Sequence, residues 1–432
     1  MSRPAPLLAV FLAACSLDVT TPGLVRPPNA LDVNVDFCAG DLPNWFAVRN
    51  EGQPWVVVSR ATQQRHSIPV SPRVTIAYGR TTAVAGSIVS SIKVLFVTAQ
   101  EIEQATCGAL IGSKTLYANI SGSMHDDVVI AALAGAFGST SSGSGGARQL
   151  FIPGVASGPG DLLVYVATTG DRPKYILRHS IDEPNGTLLD AMDFSSSEAT
   201  YTVRPPLAIN GGVTVQAWTT FVSALGTEWE LGAASAPGGV GSYLSLPQHR
   251  IGADDMHKTT IVAEDGRRAS VYVTVPNALA MSLGPVLSAP TITSVSTNPV
   301  LRLRATIPSQ AAYPSLASVT FLQGSSLTRS VGVVVSAAYL GGAPTPWEIE
   351  VPELTFLGST LLLNPNEATQ WYAETWMSPA GLFFGHNGRT DGSRVRCASA
   401  ASQPSLLSRA CRSPLLLAPQ LPPLETGALL SP

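Results

Sequence analysis

The stretch that decides the fold is Val300-Leu301-Arg302-Leu303-Arg304-Ala305-Thr306-Ile307. Its apolar residues alternate with arginine and threonine, so the two kinds of side chain point to opposite faces of an extended chain. The stretch Trp347-Glu348-Ile349-Glu350-Val351 repeats the pattern, with glutamate on a face that we expect to be solvated. Strands with one wet face and one apolar face are typical of antiparallel sheets in β-sandwiches.

The composition of the whole chain points to the same class of fold. Charged residues make up 13% of the chain and apolar residues 45%, with 38 glycines and 34 prolines. Glycine and proline belong in turns, and the abundant valine and threonine favour strands. Helical periodicity is almost absent, although Thr98 and Glu101 form a capping box that predicts a short helix after Thr98. The predicted fold class is all-β.

The chain is too long for one small core, because it has 432 residues. We expect a signal segment, a tether, four small tandem antiparallel β-domains and a tail. The predicted ranges are 1–15 for the signal, 16–35 for an extended tether, 36–108 for a small disulfide-closed β-domain with a short helix, 109–195, 196–290 and 291–399 for three β-sandwich-like domains, and 400–432 for a poorly ordered tail.

Two turn clusters divide the strand-like runs of the second domain. They are Gly-Pro-Gly-Asp at 158–161 and Pro-Asn-Gly at 184–186. This arrangement resembles small transthyretin-like sandwiches, and the later alternating strands resemble Ig-like domains. The Ser/Gly tract from Gly138 to Gly146 predicts a flexible hairpin loop, and binding residues concentrate on such loops.

The N-terminus carries the parts of a secretory signal: a cationic tip at Arg3 and an apolar run from Leu7 to Ala14. The run is far shorter than the roughly 20 residues that a membrane-spanning helix needs. Leu12-Ala13-Ala14-Cys15 resembles the lipobox of bacterial lipoproteins. The alternative is an ordinary cleaved signal followed by a chance cysteine.

The lipobox resemblance implies that Cys15 becomes the N-terminus and carries acyl chains, which would anchor the protein in a bacterial membrane. Ser16 follows the cysteine, and by the same resemblance this favours the outer membrane of the cell envelope. A net charge of −3 with no basic run argues against a nucleic-acid partner. The partners that remain are the membrane and an envelope protein or glycan.

The other four cysteines permit three pairings. Cys38 and Cys107 bracket the first domain, and a disulfide between them would close a loop of about 70 residues, worth roughly 4 kcal/mol. Cys397 and Cys411 are left open, either paired or both free. The segment from Phe37 to Trp55 resembles modules of uncharacterised bacterial lipoproteins, a resemblance that brings no known activity.

Motifs for catalysis, phosphate binding and dinucleotide binding are absent from the sequence. His125-Asp126-Asp127 and Asp254-Asp255-Met256-His257 combine imidazole with carboxylates, but each offers two ligands on one face where a closed zinc site needs four. We interpret them as turn residues at strand ends and predict neither a metal nor another cofactor. A Ser–His–Asp triad stays open, because its members need not be close in sequence.

Tyr372 and Trp376 are the candidate ligand-binding residues, because an exposed aromatic pair can stack on a sugar ring. They share one face of an extended segment, whereas Trp371 points into the core. The favoured interpretation, however, is that all three aromatic residues pack in the core. The sequence as a whole predicts a non-enzymatic, lipid-anchored envelope protein that presents β-domains for binding or structural spacing. The alternatives are a carbohydrate-binding envelope protein and, less favoured, a hydrolase with accessory β-domains.

Overall fold

The computed structural model describes residues 25–37, 43–59, 65–84, 87–103, 112–122, 128–141, 148–167, 173–324, 328–354, 356–378 and 391–411. Regular structure in these ranges is β-strand, apart from two short α-helices and four 3-10 helices, which confirms the all-β class. The 3-10 helices are Pro237–Gly239, Gln248–Arg250, Ser359–Leu361 and Pro404–Arg409. Assignment to Ig-like or transthyretin-like domains stays a prediction.

The N-terminal half holds fourteen of the described strands and one helix. The first group is β1 (Leu31–Asp36), β2 (Trp45–Asn50), β3 (Val56–Ser59), β4 (Arg65–Val70), β5 (Arg73–Val84), β6 (Ser87–Thr98) and helix α1 (Ala99–Glu103). The second group is β7 (Lys114–Ser121), β8 (Val128–Leu133), β9 (Ala136–Ser141), β10 (Arg148–Val155), β11 (Gly160–Ala167), β12 (Lys174–Ile181), β13 (Leu188–Asp193) and β14 (Thr200–Tyr201).

The C-terminal half holds the other fourteen described strands and the second helix. The third group is β15 (Pro206–Ile209), β16 (Val215–Val222), β17 (Glu228–Ala236), β18 (Val240–Ser242), β19 (Met256–Ala263), β20 (Arg268–Val273) and β21 (Leu279–Met281). The fourth group is β22 (Thr291–Ser296), β23 (Arg302–Ile307), β24 (Leu316–Gln323), β25 (Arg329–Ser336), helix α2 (Ala337–Leu340), β26 (Trp347–Glu350), β27 (Thr369–Met377) and β28 (Arg394–Ala401).

The alternating stretch around residue 303 forms a strand as predicted. Leu303, Ala305 and Ile307 of β23 are buried, and the intervening residues are partly exposed. Strand β23 pairs with β26, and Arg302 and Arg304 both form ion pairs with Glu350. The solvated face therefore carries cross-strand charge pairs, which stabilise neighbouring strands modestly.

Helix α1 begins where the capping box predicts. Thr98 Oγ1 accepts a hydrogen bond from Glu101 N at 3.3 Å, and Glu101 Oε2 accepts one from Thr98 N at 2.8 Å. Ser336 Oγ, at the end of β25, donates to the same carboxylate at 2.8 Å. The capping box thus also joins the first group of strands to the fourth.

The largest sheet has twelve described strands, in the order β17-β16-β19-β20-β28-β27-β24-β25-β6-β5-β2-β3. It draws on the first, third and fourth groups. Strand β25 pairs in parallel with β6, and β28 pairs antiparallel with β20. These two pairings connect the groups into one hydrogen-bonded sheet.

The twelve-stranded sheet contradicts the prediction that ranges 36–108, 196–290 and 291–399 form separate tandem domains. Each group alone would leave a strand edge unpaired, and pairing with another group satisfies those backbone groups. Alternation in the sequence shows which face of a strand is buried, but it does not show which strand lies beside it.

Three small described sheets cover parts of the large one. The pair β1-β4 packs on one face at the β2 end, and β22-β23-β26 packs on the opposite face. The sheet β18-β15-β21 covers β16, β19 and β20 through a core that includes Leu207, Ile261 and Val271. Both faces of the central strands are therefore buried, as in a layered sandwich.

The second group forms a sheet of its own, in the order β13-β7-β10-β9-β8-β11-β12-β14. One of its cores contains only residues from this group, among them Leu150, Val164 and Met192, whereas Leu163 and Tyr175 pack in a second core with Phe221 and Leu231 of the third group. The predicted loop at Gly138–Gly146 is wrong in its first part, because residues 138–141 belong to β9. A Cβ at Gly138 would collide with the carbonyl of Phe151 on β10, so the glycine permits close strand approach.

Both predicted ends of the folded part need correction. The tether was expected to reach residue 35, but Leu31–Asp36 forms β1 and buries Val33 and Val35 completely. The tail was expected to begin at residue 400, but β28 runs to Ala401 and a 3-10 helix spans Pro404–Arg409. The reason is apolar burial: Leu406, Ala410 and Cys411 are at most 3% exposed.

Candidate functional site

Several predicted site residues lie outside the described residues. They are the lipid-attachment residue Cys15, the proposed disulfide partners Cys38 and Cys107, and the segment His125-Asp126-Asp127. These assignments stay predictions.

The proposed aromatic platform does not form. Trp376 is 3% exposed and belongs to the core beneath β1 and β4, where its Nε1 donates to Glu374 Oε2 at 3.4 Å. Tyr372 is partly exposed on the same strand, β27. The pairing of Tyr372 and Trp376 as a sugar-stacking surface is therefore wrong, because β27 lies between β24 and β28 in a sheet covered on both faces.

Asp255 and His257 are buried and have structural partners. Asp255 Oδ1 accepts a hydrogen bond from Ala224 N at 2.9 Å, and its Oδ2 accepts one from Gly252 N at 2.7 Å. His257 has no exposed surface, and its ring lies 5.8 Å from that of Phe221. Among the described residues, no three His, Cys, Asp or Glu side chains are grouped to hold a metal ion.

Ser245 lies beside His257, with 3.2 Å between Oγ and Nε2. The single lone pair of Nε2 already accepts a hydrogen bond from Leu246 N at 3.0 Å, and the Ser245 hydroxyl donates to Leu246 O at 2.9 Å. The imidazole proton is consequently on Nδ1, which has no hydrogen-bond partner among the described residues. This histidine is not arranged to deprotonate the serine.

A second acid–histidine pair lies at the junction of the second and third groups. Buried Asp161 places its Oδ1 3.1 Å from His179 Nδ1 and accepts a hydrogen bond from Ser180 N at 3.1 Å. His179 Nε2 faces the carbonyl of Arg250 at 3.4 Å. Both ring nitrogens of His179 thus face oxygen acceptors. These contacts orient the imidazole ring and connect the second group of strands to the third.

Cys397 and Cys411 form a disulfide, which settles the pairing that the sequence leaves open. Their Cα atoms are 5.8 Å apart, within the usual range for a disulfide, and both side chains are 1% exposed. Beside the bond, Glu374 Oε1 accepts a hydrogen bond from Cys411 N at 2.6 Å, and Oε2 accepts one from Ser318 Oγ at 2.7 Å. The buried carboxylate holds the C-terminal segment against the sheet.

A basic cleft lies where β20, β21 and β28 meet. Its volume is about 10 Å³, room for one water molecule, and it is lined by Ala269, Ser270, Val271, Met281, Ser282, Arg394, Val395 and Arg396. Register pairs place Arg396 beside Ala269 and Arg394 beside Val271, on the same face of the sheet. Arg396 Nη2 donates to Ser282 Oγ at 2.8 Å, and Arg394 is exposed. The cleft therefore combines an apolar floor with two guanidinium groups.

The sequence interpretation missed this cleft, although a signal was present. Arg394-Val395-Arg396-Cys397 alternates charged and apolar residues, which predicts a strand with two arginines on one face. The apolar residues that adjoin the arginines come from β20 and β21, more than 100 residues earlier in the chain. Only the pairing of β20 with β28 brings them together.

No protein-family model matches the chain, and no curated protein matches it. Within the described ranges, no helix has the length and hydropathy to cross a membrane.

Proposed function

We propose that the protein is exported, anchored to a bacterial envelope membrane through acylated Cys15, and works without catalysis as a rigid β-structured surface for binding or spacing. The observation that carries the proposal is the buried disulfide between Cys397 and Cys411. Disulfides persist in oxidising compartments and are rare in the cytosol. The bond therefore supports the export that the signal-like N-terminus predicts.

The continuous sheet supports the structural part of the proposal. Twelve strands from three parts of the chain share one hydrogen-bonded ladder, and small sheets cover both of its faces. A body of this kind holds its surface loops in fixed relative positions, and binding residues concentrate on such loops. A short N-terminal tether before Leu31 would then space the body from the lipid surface.

The test replaces Cys15 with alanine in the full chain, expressed in a bacterium that is fed a labelled fatty acid. Cys15→Ala should lose the label entirely, because no thiol remains at the cleavage site to accept diacylglycerol. Cys397→Ser is the control, since it removes a cysteine from the folded body and leaves the N-terminus intact. Label that persists in Cys15→Ala, or disappears in Cys397→Ser, would contradict anchoring at Cys15.

A further inference from the structure

An exposed aromatic pair lies on the outer face of the second-group sheet, opposite the core that contains Leu150. Tyr117 of β7 and Phe151 of β10 are register partners, and the centroids of their rings are 5.7 Å apart. Phe151 is 45% exposed, and Leu188, the register partner of Tyr117 on β13, is 54% exposed. This row of side chains therefore presents apolar surface directly to solvent.

A second row on the same face supplies hydrogen-bonding groups. Asn119 and Gln149 are register partners two residues along from the aromatic pair, and alternate residues of a strand share a face. Both are exposed, and neither amide forms a side-chain hydrogen bond within the part of the chain that the structure describes. Each amide offers two N–H donors and a carbonyl acceptor. Polar groups able to bind a ligand thus lie beside the two aromatic rings.

The sheet holds both rows in fixed positions. The residues that alternate with them along β7 and β10 point to the opposite face and are at most 1% exposed; they are Leu116, Ala118, Leu150 and Ile152. Strand β7 lies between β13 and β10, and β10 lies between β7 and β9. Because both strands are paired on two sides and packed underneath, a ligand would bind with little loss of backbone freedom.

The chemistry of the two rows indicates a carbohydrate. The first row also includes Ser139, the register partner of Phe151 on β9, and neither row contains a charged residue. We propose that this face binds a neutral, β-linked glycan, with sugar rings stacked on Tyr117 and Phe151 and sugar hydroxyls hydrogen-bonded to Asn119 and Gln149. The inference rests on the binding role proposed above, but not on anchoring at Cys15.

The ring faces and the rim of a sugar match the two rows. A β-linked glucose unit has only C–H groups on its two ring faces, which suit the electron-rich face of an aromatic ring. Its hydroxyls lie at the rim, within reach of neighbouring amides. Aromatic side chains for contact area and asparagine or serine for adaptable hydrogen bonds are also the combination that antibody binding loops use.

Two other kinds of ligand fit this face less well. An anion would find no cation in the two rows to replace its hydration. Each partner in a stable protein complex buries roughly 800 Å², and three partly exposed apolar side chains provide far less apolar surface. A neutral glycan needs neither a countercharge nor a large apolar area.

The experiment measures binding of the full chain by affinity electrophoresis in gels that contain a polysaccharide. Hydroxyethyl cellulose and laminarin are neutral and β-linked, and at least one of them should retard the protein in a concentration-dependent way. Dextran, which is α-linked, and carboxymethyl cellulose, which is anionic, should retard it much less.

Variants of the two rows test the assignment of residues. Phe151→Leu keeps an apolar side chain, so the sheet should fold, but it removes the flat ring and should weaken binding about tenfold. Phe151→Tyr keeps the ring and should bind like the wild type. Gln149→Ala should weaken binding about threefold to tenfold, because it removes a hydrogen-bonding side chain.

Tyr201→Leu is the matched control, because Tyr201 is 47% exposed on β14 at the opposite edge of the same sheet. It should leave glycan binding unchanged. The proposal is overturned if neither neutral β-glucan binds, if Phe151→Leu binds as tightly as the wild type, or if Tyr201→Leu weakens binding equally. Tighter binding of carboxymethyl cellulose than of hydroxyethyl cellulose would also overturn it.

Sedimentation of the protein without glycan tests the competing occupant, a second copy of the chain. The protein should sediment as the same species before and after Phe151→Leu. A dimer that this variant dissociates would show an interface between copies and overturn the glycan proposal. Fatty-acid labelling at Cys15 does not depend on either result, so the anchoring proposal and the glycan proposal can fail separately.

Discussion

His257 shows how one buried side chain makes stability depend on pH. Burial lowers the pKa of His257 from 6.5 to about 4, because the folded protein does not solvate the imidazolium ion. Nε2 now accepts a hydrogen bond from Leu246 N–H. Protonation at Nε2 would place two donors face to face and break this hydrogen bond. The unfolded chain takes up a proton near pH 6.5, whereas the folded protein resists it until about pH 4.

We therefore expect stability to fall as the pH drops from 6.5 to 4, with His257 contributing about 3 kcal/mol of the loss. His257→Gln should flatten this dependence, because its side-chain carbonyl can accept from Leu246 N and does not titrate. Urea unfolding at several pH values measures the difference between the two proteins. His249→Gln, at an exposed site, is the control and should keep the wild-type slope. An unchanged slope in His257→Gln would show that this residue is not responsible.

At the residue scale, the sequence favoured core packing of Trp376, and its burial confirms that interpretation. The alternation along β27 correctly put Trp371 and Trp376 on opposite faces, since the two belong to different cores. The less favoured sugar-stacking role required an exposed Trp376 and is wrong, because a period-two pattern does not show whether the second face meets water. Strand β27 lies inside the large sheet and has a core on each side.

At the scale of elements, the segment from Arg394 to Cys411 completes the large sheet and one of the cores that pack on it. Strand β28 pairs with both β20 and β27. In the segment that follows it, the side chains of Leu406, Ala410 and Cys411 are buried. The run of serines and prolines after residue 400 hid this role, because such a composition is typical of disordered tails. The capping box at Thr98 was easier to predict, since both of its partners are close in sequence.

A chain shortened to end at Ala401 should be less stable than one that ends at Cys411 by at least about 3 kcal/mol. It loses a disulfide that spans 14 residues, together with the apolar residues that follow β28. Guanidinium unfolding of the two chains measures the difference. Cys411→Ser in the longer chain separates the bond from the packing. Equal midpoints for the two chains would refute a structural role for residues 402–411.

At the scale of the whole molecule, the second group of strands completes a sheet of its own and the fourth does not. Residues 112–201 supply all eight described strands of their sheet and the whole of one of its two cores. The core of range 291–399 also contains Trp45, Ile92 and Val94 from the first group. The sequence predicted strands well in both ranges, but partners far apart in the chain leave no local signal.

A fragment of residues 112–201 should therefore fold alone, whereas one of residues 291–399 should not. The first keeps its hydrogen-bond ladder complete, and the second leaves the β25 edge and part of its core exposed to water. Dispersed amide signals in NMR spectra and a cooperative thermal transition would identify the folded fragment. A cooperative transition in fragment 291–399 would restore the expectation of an independent domain.

The parallel pairing of β25 with β6 sets an order of events during biosynthesis. Glu101, just after β6, and Ser336, at the end of β25, are 235 residues apart, so β6 leaves the ribosome long before its neighbour exists. Until β25 has been made, one edge of β6 has unpaired backbone N–H and C=O groups. These groups can pair with a wrong strand from the same or another nascent chain. The large sheet can close only when almost all of the polypeptide has emerged, so premature termination or slow delivery would favour aggregation.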